Sequence, residues 1–449
     1  MKSQTQSWLE HFQLFSLYLT ILLIPVQLSK FFWPDFSSVL GLRVDYLAPA
    51  VYLSDLTIAT FIFSSLTVFL LKRNILKKPR PPVVSASIFV LAIFLSLIFA
   101  KSQGVALVKS LKIIEFLLFS LFLSTVSYTR IIKTVVFLLG ASILWVSILV
   151  FIQFSQQSSL GLTLLGERRF SLSTPGISQV SHEGLVMLRP YATFPHPNVL
   201  SAYLALSSTF VFGHLIFLKF KRSEQWFLAV SIGLSLFALF LTFSRSGWLA
   251  GGIGVVPLFG FFLAGKIYRK ITSNQKVILG FFLATVVLLG VFSLGPVFVE
   301  RFLSIAAQDS HSLLLRVKLA QAAAEMFQSS PLLGVGPGNF LILLPQFWQL
   351  SETIRWLQPV HNLYLLILSE IGIFGLGAFL SVVLLPLPLI LRKSKLSLQP
   401  VLILSYIQIF FLAFFDHYFW TLQQGLLLFW MFQGLFLSFA YDNKRRDEN

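Results

Sequence analysis

Pro331-Leu332-Leu333-Gly334-Val335-Gly336-Pro337-Gly338-Asn339 is the turn-rich centre of a stretch, Phe298–Tyr364, that does not belong in lipid. The stretch also carries Arg301, Asp309, His311, Arg316, Lys318 and Glu325. It closes on Val360-His361-Asn362-Leu363-Tyr364, where a new apolar run begins. At about 60 residues it far exceeds an ordinary connection, and loops of that length are usually functional or disordered. The rest of the chain differs sharply from it.

The chain has 449 residues, 56% hydrophobic and 11% charged, with mean hydropathy +0.83. Soluble domains carry about a quarter charged residues, and a soluble protein of this size could not bury so much apolar surface. Apolar runs of about 20 residues recur, which makes the spans helices rather than barrel strands. The sequence therefore predicts an all-α polytopic membrane protein with about 12 transmembrane helices. They are expected near 12–28, 50–71, 83–100, 111–127, 134–154, 197–218, 226–243, 247–265, 277–297, 362–391, 400–415 and 419–440. Gly372, Gly375 and Gly377, with Pro386 and Pro388 beyond them, allow the long tenth span to bend. The first apolar stretch, Phe12–Gln27, lacks a basic leader and a small-residue cleavage site, so it is expected to be a retained helix. Cysteine is absent, which excludes disulfides and thiolate metal sites.

A net charge of +17 raises the question of nucleic acid. The distribution answers against it, since the basic residues sit in short clusters between apolar runs, as in the cytoplasmic loops of membrane proteins. Such clusters occur at Lys72–Arg80, Arg130–Lys133, Lys219–Arg222, Lys266–Lys276, Arg392–Lys395 and Lys444–Arg446, and they hold most of the basic residues. With the N-terminus cytoplasmic, all of them fall inside. The expected organisation is a single integral membrane domain, 1–449, with two long extracytoplasmic loops at 155–196 and 298–361. Within the second, Ser312–Gln328 has helix-forming composition and ends before Ser329-Ser330-Pro331, a stop signal.

Arg189, Arg245, Arg316 and His361 then fall on the outer side, where positive charge is unusual. An anion would explain it. The planar guanidinium suits phosphate oxygens bidentately and does not titrate. An imidazole among arginines can accept the proton of an attacking hydroxyl. The glycines around Gly336 could present N–H groups to phosphate. Plainer roles stand beside these. Arginines at a membrane edge contact lipid headgroups, His361-Asn362 could cap the next helix, and the Gly-Pro run could be a turn. By the same reasoning His196 and His214 read as structural or interfacial, and Asp416-His417 as an interfacial pair in a short outer turn. Arg245, pressed between two apolar spans, is costly without a partner. No spacing matches a zinc or calcium site, a phosphate loop or a serine nucleophile elbow.

Taken in order, several pieces resemble the O-antigen ligase/polymerase superfamily of bacterial membrane glycosyltransferases. They are Arg189…Thr193-Phe194-Pro195-His196-Pro197-Asn198, Thr242-Phe243-Ser244-Arg245-Ser246, Arg316 with Pro331–Phe340, and His361-Asn362…Tyr364…Glu370-Ile371-Gly372. Arg43-Val44-Asp45-Tyr46 and Tyr52–Leu56 also look like this family. The resemblance implies transfer of a glycan from an undecaprenyl-diphosphate donor to the hydroxyl of a glycan or lipid-glycan acceptor. It places that reaction at the outer face of the bacterial cytoplasmic (inner) membrane, with inversion and without nucleotide sugar, metal or other cofactor. By motif, Arg245 and Arg316 would hold the diphosphate and His361 would orient or deprotonate the acceptor. Arg189 would be an auxiliary contact. His196, Asn198, Gly336, Asn339, Asn362 and Tyr364 would complete a substrate site in contact with membrane lipids.

Two other function classes fit the composition. A transporter or flippase of a small anion or lipid-linked glycan would need polar groups within the membrane, and Lys112 and Glu115 are the main such residues. A scaffold for an envelope-polysaccharide complex would need none of the chemistry.

Overall fold

Within hydrocarbon a backbone N–H or C=O finds no water, so each apolar run must satisfy its own backbone by coiling into a helix. A computed structural model describes residues 2–71, 81–182, 184–263, 280–281, 284–285, 288–289, 295, 310–348, 357–392 and 398–447. Helices cover every expected span but the ninth, 277–297, most of which lies outside the described residues. In chain order they are α1 (Lys2–Leu22), α2 (Leu53–Leu71), α3 (Pro81–Ile98), α4 (Gln103–Leu123), α5 (Tyr128–Gln156), α6 (Pro197–Phe217), α7 (Arg222–Leu241) and α8 (Arg245–Leu263). Then follow α9 (Ser310–Ser329), α10 (Phe340–Phe347), α11 (Leu363–Leu384), α12 (Leu387–Ile390), α13 (Gln399–Phe415), α14 (Tyr418–Thr421) and α15 (Gln423–Asp447). Among the described residues, 7 helices are long and apolar enough to cross a membrane, and α13 is a shorter apolar helix.

Two of these helices are central. In α6 and α15, 94% of the apolar window is buried, against 33% in α2 and α3, so the latter pair faces outward and the former pair forms the axis. Close approach to α6 relies on small residues, as usual in membrane bundles. A Cβ at Gly213 would meet Val401 at 2.5 Å, and one at Gly247 would meet Ser201 at 2.5 Å. Gln408 ties three helices, donating to Thr209 Oγ1 at 2.8 Å and to Ala250 O at 2.7 Å. His214 lies in this core, its Nε2 2.7 Å from the Tyr128 hydroxyl, a structural place as its sequence context suggests.

The two ends of the bundle differ. At the start of α5, Arg130 pairs with Glu10 at 3.0 Å and Ser127 donates to Asp442 at 2.7 Å. At its far end, about 43 Å away for 29 helical residues, Gln153 enters the candidate site. One cluster of charges between the ends is paired. Lys112 meets Asp55 at 2.5 Å and Glu115 at 3.1 Å, and Asp55 also accepts from Gln423 Nε2. Asp55 therefore fastens α2 to α4 through Lys112 and to α15 through Gln423.

The all-α expectation needs one amendment. Three two-stranded antiparallel ribbons lie between helices: β1 (Ser29–Phe31) with β4 (Ala50–Tyr52), β2 (Ser38–Val39) with β3 (Leu42–Arg43), and β5 (Gln179–His182) with β6 (Leu185–Leu188). The helix expected over Ser312–Gln328 is α9. Its stripe Leu315, Leu319, Ala322, Ala323 and Met326 is buried, and α9 packs on α11 and α10.

The glycine-rich turn is a docking element. Val335 N–H donates to Ser369 O at 2.9 Å and Gly336 N–H to Glu370 O at 2.8 Å. Asn339, fully buried, accepts from Ser102 N–H at 2.7 Å and donates to Ser102 O at 3.2 Å. Opposite the turn, α11 kinks at Gly372, where φ is 68° and ψ −172°. The N–H of Ile373 then reaches Pro331 O at 2.9 Å. A buried carboxylate anchors the junction, because Glu370 Oε2 accepts from Trp420 Nε1 at 2.8 Å.

Candidate active site

Arg189 organises the site from within. It is 6% exposed, a cost that requires each donor to find a partner. Nε donates to Thr242 O at 2.8 Å, Nη1 to Ser178 Oγ at 3.1 Å and Nη2 to Asn198 Oδ1 at 2.9 Å. The guanidinium thus joins the 155–196 segment to the start of α6 and to the α7–α8 turn. Both flanking turns hold a non-glycine residue in the left-handed region, Ala192 (φ 48°) and Phe243 (φ 50°). Such positions cost about 1–3 kcal/mol and persist where the surroundings over-determine them. Gln153 does so at Ala192. Its Oε1 accepts from Ala192 N–H at 2.7 Å and Tyr191 N–H at 3.0 Å, and its Nε2 donates to Ala192 O at 2.9 Å.

Next along the chain, His196 caps α6, its Nδ1 accepting from Asn198 N–H at 3.1 Å. Asn198 turns its other amide end outward, and Nδ2 donates to Asp416 Oδ2 at 3.1 Å. The opposite oxygen of Asp416 faces His361, with Nδ1 to Oδ1 3.5 Å. That is an ion-pair separation rather than a hydrogen bond, and His361 Nδ1 has no hydrogen-bond partner among the described residues. Contacts of catalytic groups are often loose before substrate binds. His417 stands beside them, its ring centroid 5.3 Å from that of His361. Its Nδ1 lies 2.6 Å from Thr421 Oγ1.

Asn362 and Tyr364 hold His361 in place. Asn362 caps α11, with Oδ1 accepting from Leu365 N–H at 2.9 Å and Nδ2 donating to Phe414 O at 3.1 Å. The Tyr364 hydroxyl donates to Phe410 O at 3.2 Å. Both residues fix α11 against the end of α13, immediately before Asp416.

The electrostatics separate these groups. Burial alone would push the Asp416 carboxyl up, but His361, His417 and His196 outweigh it and hold the carboxyl well below the usual carboxylate range. Burial pushes His196 down to about 3, with Arg189 adding to the effect. His417 also falls to about 3, by burial, against the opposing pull of Asp416. At neutral pH the centre holds a carboxylate beside the neutral imidazoles of His196 and His417. A cavity of about 210 Å³ opens over it, lined by His361, Asp416, His417, His196, Tyr46 and Arg168 among others. The donor atoms of His361, Asp416 and His417 lie within 4.8 Å of one another and could also hold a metal ion.

The structure thus gathers Arg189, His196, Asn198, His361 and Asn362 around Asp416 and His417. Arg245, the first residue of α8 and half-buried, follows three positions after Thr242, whose carbonyl Arg189 engages. Arg316 sits on the exposed face of α9 and makes no hydrogen bond or ion pair among the described residues. Gly336 and Asn339 stand apart from the cavity, and their polar groups are engaged inside the protein. The glycine run forms a turn, the plainer of its two readings, with the Val335 and Gly336 N–H groups donating to Ser369 O and Glu370 O. Its link to the centre is indirect, through Glu370 and Trp420. Asp416 and His417, read from sequence as an interfacial pair, prove to be central. The available signal was an ionisable pair in a two-residue link between apolar helices, where such groups are costly unless they have a task.

No curated protein gives a significant sequence match to the chain. Residues 201–380 match the family described as O-antigen ligase. The match includes Arg245, Arg316 and His361, while Arg189, Asn198 and Asp416 fall outside it. Over that segment the chain is similar to the O-antigen ligase family.

Proposed function

We propose that the protein transfers a glycan from an undecaprenyl-diphosphate carrier to an acceptor hydroxyl at the outer face of the inner membrane. The observation that carries this reading is His361 held with Nδ1 towards the ionised Asp416 and its exposed part in the cavity. A carboxylate behind one ring nitrogen fixes the tautomer and supports the imidazolium that forms when the other nitrogen accepts a proton. Nε2 of His361 takes the acceptor hydroxyl's proton as the oxygen attacks the anomeric carbon. The new C–O bond forms as the bond from that carbon to the diphosphate oxygen breaks, which inverts the centre. The electron pair leaves on the diphosphate.

Charge growing on that leaving group needs cations already in position. Arg245 and Arg316 are assigned this role, Arg316 being exposed and free to meet a lipid headgroup. Arg189, with its guanidinium bonded to Thr242, Ser178 and Asn198, positions the site instead of touching substrate.

The experiment is transfer from a purified undecaprenyl-diphosphate glycan in the presence of candidate acceptors. His361→Ala, Arg245→Ala and Arg316→Ala, each shown to insert normally, are expected to lose transfer. Full activity in all three would overturn the reading. Solute flux into proteoliposomes that is indifferent to the lipid diphosphate would favour transport instead.

A further inference from the structure

We propose that the cavity beside His361 is the acceptor subsite, and that it is built to hold one uncharged sugar ring. This rests on the glycosyl-transfer reading and adds to it the class of molecule and the residues that select it. Those residues come from the N-terminal ribbon and from the turn at 163–168, outside the segment that matches the family.

Four observations carry the inference. The first is Gln27, 8% exposed and lining the cavity, whose Oε1 has no hydrogen-bond partner among the described residues. A buried acceptor left unmade costs about 1–3 kcal/mol, and a sugar hydroxyl is a donor that would satisfy it. The second is how Gln27 is fixed. Its N–H donates to Leu165 O at 2.9 Å, and a Cβ at Gly166 would lie 2.2 Å from the Gln27 carbonyl carbon. This contact clamps the 163–168 turn and sets Arg168 3.3 Å from Asp45 across the cavity mouth.

The third observation is the aromatic wall. Tyr46 stands edge-on to His417 at 5.7 Å, and Phe31 packs edge-on to Tyr52 at 6.1 Å. Aromatic faces beside a few fixed polar groups suit a molecule with an apolar C–H face and a rim of hydroxyls. The fourth is charge. The lining carries two carboxylates, Asp45 and Asp416, against one guanidinium, Arg168, and no lysine. That balance repels a diphosphate and suits a neutral polyol. At about 210 Å³ the space lies below the roughly 300–1,000 Å³ of pockets for larger ligands, which fits one monosaccharide unit.

The test uses the full-length protein in lipid nanodiscs and two readouts. Saturation-transfer NMR reports binding of methyl glycosides of glucose, galactose and N-acetylglucosamine without any need for turnover. Transfer from an undecaprenyl-diphosphate glycan gives the acceptor KM and the donor Kd. Gln27→Leu, Asp45→Asn and Arg168→Ala are each expected to weaken binding of the preferred glycoside about tenfold and raise acceptor KM equally, with donor Kd unchanged. Gln27→Leu should also leave thermal stability equal or higher, since it removes an unmade hydrogen bond, which a purely structural role would not produce. Glycoside binding that the variants weaken supports the subsite even if the wild type transfers nothing, in which case the glycosyl-transfer reading alone fails. Absence of binding by every glycoside, unchanged acceptor dependence in folded variants, or a loss of donor affinity in its place would overturn the proposal.

Discussion

Asn198 donates through Nδ2 to Asp416 Oδ2 at 3.1 Å while its Oδ1 accepts from Arg189 at 2.9 Å. One amide therefore serves a cation at one end and an anion at the other, and neither side can be reversed. Asn198→Asp keeps the size and the bond to Arg189 but sets a second carboxylate against Asp416. Two carboxylates in contact cannot both ionise, so one takes up a proton. Transfer should fall at neutral pH, and the loss should change with pH between about 4 and 7, a window in which the wild-type carboxylate does not titrate. A variant whose pH–rate profile overlays the wild type would show that this amide does not control Asp416.

Asp416 itself gives a sharper case. Asp416→Asn preserves shape and the cavity wall but removes the charge behind His361. Positioned general bases contribute roughly 10²–10⁴-fold, and a base with its orienting carboxylate neutralised loses much of that. Transfer is expected to drop by about two to four orders of magnitude in protein that still inserts, with thermal stability lowered because the ionised carboxyl's contribution is lost. Retention of more than about a tenth of the activity would remove Asp416 from the chemistry.

The spans were legible because a polar backbone in lipid leaves little choice but helix, and apolar runs announce themselves. Arg189, Arg245, Arg316 and His361 stand out in the sequence as a group because charge on the outer side of a membrane protein needs a reason, whereas His196 reads as structural or interfacial and Asn198 enters only by resemblance. Their individual roles were not legible. The sequence marks Arg189 as a cation but says nothing of Thr242 O, Ser178 and Asn198, which arrive from three separate segments to engage it. Gly336 reads as a turn before it reads as a phosphate nest, but that the turn docks onto α11 shows only where carbonyls such as Glu370 O hold the N–H groups. Asp416-His417 looks unremarkable in a short link, since its meeting with His361, 55 positions away, exists only after α11 and α13 pack.

Protonation of the buried imidazoles should make the fold sensitive to acid. His196 and His417 lie at about 3 in the native protein against about 6.5 when unfolded. Between those values the unfolded chain binds protons that the native one does not, so stability is fully present above about pH 6.5 and falls as pH drops towards 3. Each histidine contributes a slope of at most about 1.4 kcal/mol per pH unit. Asp416, held below the carboxylate range, adds further loss below about pH 4. Thermal unfolding from pH 7.5 to 4.5 should show a shallower decline for His417→Asn than for the wild type. Parallel declines would mean that His417 is not held neutral.

Gly372 is the position where the helix and the glycine-rich turn depend on each other. Its φ of 68° lies in the left-handed region, and an added Cβ would sit 2.3 Å from Leu332 O and 2.4 Å from the Leu332 carbonyl carbon. Both obstacles are backbone, so no side-chain rotation relieves them. With ψ at −172° this is a conformation essentially reserved to glycine, and it costs another residue about 1–3 kcal/mol. Relief by straightening α11 would withdraw the Ile373 N–H from Pro331 O, a 2.9 Å bond that seats the turn, and would shift Glu370 away from Trp420. Gly372→Ala should therefore sharply reduce the folded yield in detergent, together with transfer. Gly377→Ala is the control, because it lies in the same helix with no heavy atom within 4 Å of the new Cβ, and it should fold and transfer normally. Equal melting temperatures for the two variants would show that the kink is not needed to dock the turn.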